Sequence, residues 1–167
     1  KKVGNIDTLN PRTMALGMCT QLNEIECHSK NLRSVDVSSN KYLRKIDFEG
    51  CLNLGTVSAS MNIGDCKYLK TVNIYGTALT SLNTNASGGS IREIYYPQGI
   101  QSIILNNQTV LETLGLPYGV DGEEIPQRLA TISLVNCPNI SKLNTSENSI
   151  INSSVKAMKN TRNLTIN

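Results

Sequence analysis

One spacing of apolar positions recurs eleven times along the chain. Each copy places an apolar residue first, fourth and sixth, as Leu32, Val35 and Val37 do. The copies begin at Leu22, Leu32, Leu43, Leu54, Leu69, Leu79, Ile91, Ile100, Leu111, Leu129 and Ile140. Because the fourth and sixth residues alternate with variable, mostly polar ones, each copy has the period of a half-buried strand. The spacing therefore predicts short strands, each followed at once by a turn.

Such a strand cannot bury its apolar edge alone, so the copies must stack into a solenoid with a continuous core. Taking the copies in pairs gives coils of 21, 26, 22, 20 and 29 residues. We call the strands that open these coils the first sheet; their copies begin at Leu22, Leu43, Leu69, Ile91, Leu111 and Ile140. The intervening copies form the second sheet. The prediction is a mainly β solenoid of about five to six coils, with short parallel strands in two facing sheets and little helix.

The pattern covers only the middle of the chain. We expect a solenoid over residues 19–148, an N-terminal cap over 1–18, and a C-terminal cap or the start of a further element over 149–167. Such caps cover the core and strand edge that an open terminal coil exposes. Within the first cap, Asn10 to Gly17 is predicted to be a short helix with Pro11 near its start. The stretch from Pro117 to Pro126 interrupts the pattern and predicts a loop, and the start without methionine predicts a piece of a longer protein.

Composition narrows the classes of partner. The 167 residues suit one domain, and their net charge of +3 is spread along the chain rather than clustered. A nucleic-acid partner is therefore not expected, since such proteins carry a concentrated basic patch. Membrane insertion is not expected either, because the sequence has no apolar run of 18 residues.

The five cysteines are predicted to be structural. Four of them stand three residues before the first apolar position of a copy, namely Cys19, Cys51, Cys66 and Cys137, and Cys27 occupies a core position. A small, weakly hydrogen-bonding thiol suits a tight inward turn. An odd count without paired Cys-x-x-Cys spacing argues against a disulfide framework or a zinc site.

The spacing L-x-x-L-x-L-x-x-N, seen from Leu32 to Asn40, is the leucine-rich-repeat signature. The chain resembles the bacterial and phage variety, in which two such units make one coil of about 21 residues. Three stretches, Gly76–Leu82, Gly88–Pro97 and Ile100–Gln108, resemble repeat regions in tail or baseplate structural proteins of phages of gut bacteria. The departures are two irregular coils and a ninth position that lacks a long asparagine ladder.

The resemblance implies a non-catalytic structural and recognition module of a virion, in a phage tail or baseplate protein involved in host attachment. The alternative is a secreted or surface-attached bacterial adhesin, and a domain that recruits partners inside the cell stays open. The location implied is therefore the virion or the cell surface. The expected partner is a protein or glycan surface, with no cofactor, and the full-length protein could form a homo-oligomer.

The predicted binding face is the exposed side of the first sheet, which carries most of the charge and two tyrosines. Its candidate residues are Glu24, Glu26, His28, Arg44, Lys45, Asp47, Glu49, Lys70, Tyr75, Arg92, Glu93 and Tyr95. Tyrosine and arginine supply contact area together with hydrogen bonds, as recognition surfaces require. The second sheet displays mainly small polar residues. The alternative interpretation is that the first face is only the better solvated side.

No catalytic or metal-binding residue is predicted. The single histidine, His28, has no serine or cysteine nucleophile beside it, and the chain has no Gly-rich phosphate loop. Four carboxylates should cluster on the first sheet, a composition that calcium sites and glycosidases share; they are Glu24, Glu26, Asp47 and Glu49. Arg44 and Lys45 stand among them, however, and an open sheet offers no cleft.

Overall fold

A computed structural model describes residues 2–3, 12–61, 63, 66–84, 89–105, 107–115, 131–134, 137, 139, 142–143 and 165–166. Over these residues the chain is a parallel β-solenoid of about five turns with about 21 residues per turn, and none of them lies in a helix. The predicted fold class, a mainly β solenoid with short parallel strands, is confirmed.

The strands are two or three residues long. In chain order they are β1 (Lys2–Val3), β2 (Thr13–Ala15), β3 (Glu24–Glu26), β4 (Ser34–Asp36), β5 (Lys45–Asp47), β6 (Thr71–Asn73), β7 (Ser81–Asn83), β8 (Glu93–Tyr95), β9 (Ser102–Ile104), β10 (Thr113–Gly115), β11 (Thr131–Ser133), β12 (Lys142–Leu143) and β13 (Thr165–Ile166).

The first sheet contains eight parallel strands in the order β1-β3-β5-β6-β8-β10-β12-β13. Its register follows the repeat spacing, because Glu24 pairs with Lys45 and Lys45 pairs with Thr71. These pairs are 21 and 26 residues apart, which are the predicted lengths of the first two coils. The register of this sheet therefore confirms the predicted pairing of copies into coils.

The core is a stack of aliphatic side chains from the fourth position of each copy. On the first sheet these residues pair directly from coil to coil and are fully buried; they are Ile25, Ile46, Val72, Ile94 and Leu114. Their strand neighbours point outward and are half-buried in most strands. This alternation is what a short strand with one buried edge produces.

Side-chain donors in the turns tie each coil to the one before it. The Asn40 amide donates to the carbonyls of Leu16 and Cys19 at 3.0 and 2.9 Å. The Cys51 thiol donates to the Cys27 carbonyl at 3.0 Å. Cysteine therefore does in one turn what asparagine does in another, because each satisfies a buried backbone carbonyl of the preceding coil.

Four of the five cysteines are buried, as the sequence predicts. All are free thiols, and Cys27, Cys51, Cys66 and Cys137 are buried. Cys19 is exposed, so its predicted burial is wrong.

The predicted helix at the N-terminus is wrong over the described residues. Thr13–Ala15 is strand β2 and pairs in parallel with β4. Met14 and Leu16 are buried and occupy the fourth and sixth positions of a further copy. The pattern does not show this copy because its first position falls on Pro11, which is not aliphatic.

The second sheet is divided, whereas the sequence predicts one continuous sheet. Strands β7, β9 and β11 form a three-stranded sheet, and β2 and β4 form a separate two-stranded sheet. Between them lies the copy that begins at Leu54, whose described residues contribute only an isolated bridge from Ser60 to Ser81.

The cause of this break is an insertion of four residues. Leu54 is buried at the first position, but Val57 is 69% exposed. Met61 and Ile63 fill the core instead, at 5% and 2% exposure. The predicted core positions of this copy, Val57 and Ala59, are therefore wrong, because the apolar pair that enters the core lies four residues further along.

Candidate binding face

The structure places all twelve candidate residues on the outer side of the first sheet or in the turns directly beside its strands. Each is exposed or half-buried. Cross-strand pairing brings Glu24, Lys45, Thr71 and Glu93 into one row. The next row contains Glu26, Asp47, Asn73 and Tyr95. Residues far apart in sequence thus become neighbours, one coil apart.

Lys45 neutralises the centre of the acidic cluster. Its Nζ lies 3.0 Å from Asp47 Oδ2. The hydrogen bond to Asp47 raises the pKa of Lys45, with further contributions from the Glu26 and Glu24 charges, against a smaller opposing effect of burial. The lysine is therefore held in its charged form between carboxylates of two coils.

His28 joins the first two coils. Its Nδ1 lies 2.9 Å from the carbonyl oxygen of Glu49, and its Nε2 lies 3.5 Å from Glu26 Oε1. Since a carbonyl only accepts, Nδ1 carries a proton. Burial lowers the pKa of His28, but the Glu49 carbonyl and the carboxylates of Glu26 and Asp47 together raise it above its ordinary value of 6.5.

Two carboxylates of the cluster, Glu49 and Asp47, accept local hydrogen bonds. Asn73 Nδ2 donates to Glu49 Oε2 at 2.8 Å, and Asp47 Oδ1 accepts from the backbone N–H of Glu49 at 3.3 Å. Within the described ranges, no group of three histidine, cysteine, aspartate or glutamate residues could hold a metal ion. The arrangement suits recognition of a charged surface, since its acids are spread along an open sheet and paired with cations or amides.

The far end of the face is also paired. Arg92 donates to Glu112 at 3.1 Å, and both side chains are exposed. Burial raises the pKa of Tyr95, and so do the charge of Glu93 and a hydrogen bond with it. Tyr95 is thus oriented by a carboxylate of its own strand.

Sequence reasoning missed a second group of surface residues at the turn that enters the first sheet. The rings of Tyr42 and Tyr68 are stacked, with centroids 6.1 Å apart and planes inclined by 10°. Lys41 Nζ lies 5.1 Å from the centroid of the Tyr42 ring. The signal was present, because Lys-Tyr-Leu-Arg at residues 41–44 recurs as Lys-Tyr-Leu-Lys at 67–70. The predicted face was drawn from Arg44 and Lys70 onward and so left out the lysine and tyrosine that precede them in each tetrad.

The opposite face differs from its prediction near the insertion. Thr56 and Ser58, predicted to lie on the second sheet, are exposed within the inserted segment. The Thr56 hydroxyl donates to the Asn53 carbonyl at 2.8 Å, and the Ser58 hydroxyl donates to the Ser60 carbonyl at 2.9 Å. These residues stabilise a local excursion of the chain instead of extending a polar ladder.

The described part of the chain contains no helix with the length and apolar character needed to cross a bilayer. Comparisons of the chain with protein-family models, with curated proteins and with solved structures find no match in any of the three. The likeness to leucine-rich repeats and to phage tail proteins accordingly rests on the residue spacing and phrases of the sequence alone.

Proposed function

We propose that this chain is a non-catalytic structural and recognition module that presents the first sheet to a macromolecular partner. The observation that carries the proposal is the contrast between the two faces. The first sheet runs unbroken through eight strands and holds charged and tyrosine side chains in ordered rows. The second sheet is divided by the insertion and carries mainly small polar side chains.

The finer proposal is a leucine-rich-repeat part of a virion, in a phage tail or baseplate protein that takes part in host attachment. Two features support it: the repeat phrases of the sequence, and a solenoid that grows by one strand spacing, about 4.8 Å, per coil. Such a rod holds a binding element at a fixed distance from its base. The genes on either side of this one would identify a virion part if they encode tail, portal or lysis proteins.

The alternative is a secreted or surface-attached bacterial adhesin that binds protein or glycan through the same face. The repeats serve this role equally well, since a stacked array offers an extended surface to a large partner. A signal peptide and a cell-wall anchor in the full reading frame would favour the adhesin.

A recognition role is supported over catalysis by the state of the candidate acid–base groups. His28 is held by a backbone carbonyl and a glutamate, and Asp47 is paired with Lys45. A catalytic site needs groups that converge on one reacting atom in a place shielded from water. These groups instead lie along an open sheet.

The test is binding of the labelled chain to isolated cell envelopes from a panel of gut bacteria. We expect Tyr75→Ala combined with Tyr95→Ala to weaken binding by roughly tenfold or more, as loss of interface tyrosines does. The control pair, Ser81→Ala with Asn83→Ala on the second sheet, should leave binding unchanged. The opposite result would move the site to the second sheet, and no binding to any envelope would contradict the attachment role.

A further inference from the structure

The turn edge of the first sheet carries a group of cations and tyrosines that we call the basic-aromatic strip. Its members come from the two repeated tetrads at residues 41–44 and 67–70. They are Lys41, Tyr42, Arg44, Lys67, Tyr68 and Lys70. The four cations are exposed. None of them forms an ion pair with a carboxylate among the residues that the structure describes.

The strip follows the axis of the solenoid. The backbone N–H of Lys70 donates to the Arg44 carbonyl, and the N–H of Arg92 donates to the Lys70 carbonyl, both at 2.8 Å. These three cations therefore occupy one position in successive coils, about one strand spacing of 4.8 Å apart. Arg92 is paired with Glu112, whereas Arg44 and Lys70 are like charges in adjacent coils, an arrangement that destabilises the free protein. A bound anion would offset that cost.

The tyrosine stack ends in the exposed residue Tyr68. Tyr68 lies two residues before Lys70, and the residue two before Arg92 in the next coil is the small Ser90. The Tyr68 side chain is 54% exposed. One ring face of Tyr68 packs on Tyr42. An exposed aromatic face between cations offers both apolar contact and charge to a ligand.

We infer that the basic-aromatic strip binds an acidic polysaccharide laid along the solenoid axis. One sugar ring stacks on Tyr68, and the carboxylate or sulfate groups of neighbouring sugars meet Arg44 and Lys70. This inference names the ligand class for the recognition function proposed above and rests on it. It extends the contact from the strand face to the turn edge.

The spacing favours a glycan over an acidic peptide. An extended peptide rises about 3.4 Å per residue, so side chains on one side of it recur at about 6.8 Å. That repeat does not match cations that recur once per coil. A sugar ring with one acidic group spans close to one coil, and its C–H face stacks on an aromatic ring.

The experiment is calorimetric titration of the full chain with four hexamers: galacturonic acid, a heparin fragment, neutral maltohexaose and glutamic acid. We expect at least one of the two acidic glycans to bind, with an affinity that falls as salt rises, because the contact is ionic. Maltohexaose and hexaglutamate should bind roughly tenfold more weakly or not at all.

Two variants assign the site. Tyr68→Ala, and separately Arg44→Gln combined with Lys70→Gln, should each weaken acidic-glycan binding by roughly tenfold. All three side chains are exposed, so the thermal unfolding midpoint should stay within a few degrees of the parent's. Tyr68→Trp should retain binding, because it keeps the aromatic face.

The matched control is Ser81→Ala with Asn83→Ala on the second sheet, which should leave acidic-glycan binding unchanged. The inference is overturned if neither acidic glycan binds, if hexaglutamate binds as tightly as they do, or if both strip variants bind like the parent. If only the inference about the strip is wrong, envelope binding will still be weakened by Tyr75→Ala with Tyr95→Ala. Failure of the recognition function would abolish envelope binding in the parent chain.

Discussion

The copies that begin at Leu43 and at Leu54 have the same spacing of apolar residues but fold differently. In the first copy, Ile46 and Phe48 are fully buried, and the strand Lys45–Asp47 forms one rung of the continuous first sheet. In the second copy, Val57 is 69% exposed. The chain leaves the coil after Leu54 and returns to it at Ser60.

The two copies differ in the apolar residues that lie beyond the spacing. In the second copy, the predicted core pair is Val57 and Ala59, and the pair Met61 and Ile63 lies four residues further along. The larger pair removes more apolar surface from water and fills the coil better. Gly55 makes the exit possible: its φ is +110°, and a Cβ there would collide with the backbone nitrogen of Leu79. An apolar spacing thus sets the strand register only where no better apolar pair competes.

The largest expected effect comes from introducing a charge at equivalent positions of the two copies. Ile46→Asp should unfold the chain, because an unpaired carboxylate in a fully buried position costs about 4 kcal/mol or more. Val57→Asp, at the equivalent position of the second copy, should change the free energy of unfolding by less than about 0.5 kcal/mol. Urea denaturation followed by circular dichroism measures both. Equal damage from the two changes would restore the register that the sequence predicts.

The turns that enter the two copies allow a finer comparison. Asn40 precedes Leu43 and Cys51 precedes Leu54 by three residues each, and both bond to carbonyls of the coil before. Asn40→Ala removes two amide hydrogen bonds and should cost about 1–3 kcal/mol. Cys51→Ala removes one weaker thiol bond and should cost about 1 kcal/mol. Chemical denaturation of both variants measures the difference, and a larger loss from Cys51→Ala would contradict the assigned bonds.

Much of the architecture could be predicted because it depends on local spacing. The register of the first sheet follows from apolar residues such as Ile46 and Val72, whose positions need no knowledge of the rest of the chain. The insertion could not be predicted, since choosing between Val57 and Met61 requires the volume available in the stacked core. The strand at Thr13–Ala15 was hidden because Pro11 occupies its first apolar position.

The positions of the candidate site residues could also be predicted from the sequence, but their contacts could not. Alternation along each strand placed residues such as Lys45 and Asp47 outward, and stacking placed them one coil from Glu24 and Glu26. The contacts themselves depend on side-chain conformation, as in the approach of His28 to the Glu49 carbonyl. The spacing of strand positions contains no information on those conformations.

Deletion of the insertion should make the copy that begins at Leu54 fold like the copy that begins at Leu43. Deletion of residues 56–59 leaves Leu54, Gly55, Ser60, Met61, Asn62 and Ile63 in sequence, which restores the regular spacing. We expect the chain to stay folded, with a change in unfolding free energy below about 1 kcal/mol, because shortening a surface loop has little entropic cost. The control deletion, residues 34–37, removes the core residues Val35 and Val37 and should abolish cooperative unfolding. Loss of folding in the first deletion would show that the inserted segment is needed for the stack.

The smallest expected effect is a pH dependence confined to the regular coils. The pKa of His28 is raised in the folded chain, so protonated His28 stabilises the fold. This contribution is fully present below the unfolded pKa of 6.5 and is lost as the pH rises through the higher folded pKa. The side chain is about one-third exposed, so the effect is reduced by solvent screening.

His28→Gln should flatten the change in urea midpoint between about pH 5.5 and pH 8, the range over which histidine titrates. The inserted copy has no such group between Leu54 and Ile63, so Val57→Ala should keep the parent's pH profile. A profile that persists in His28→Gln would place the titrating group elsewhere and separate the pH response from the contact that joins the first two coils.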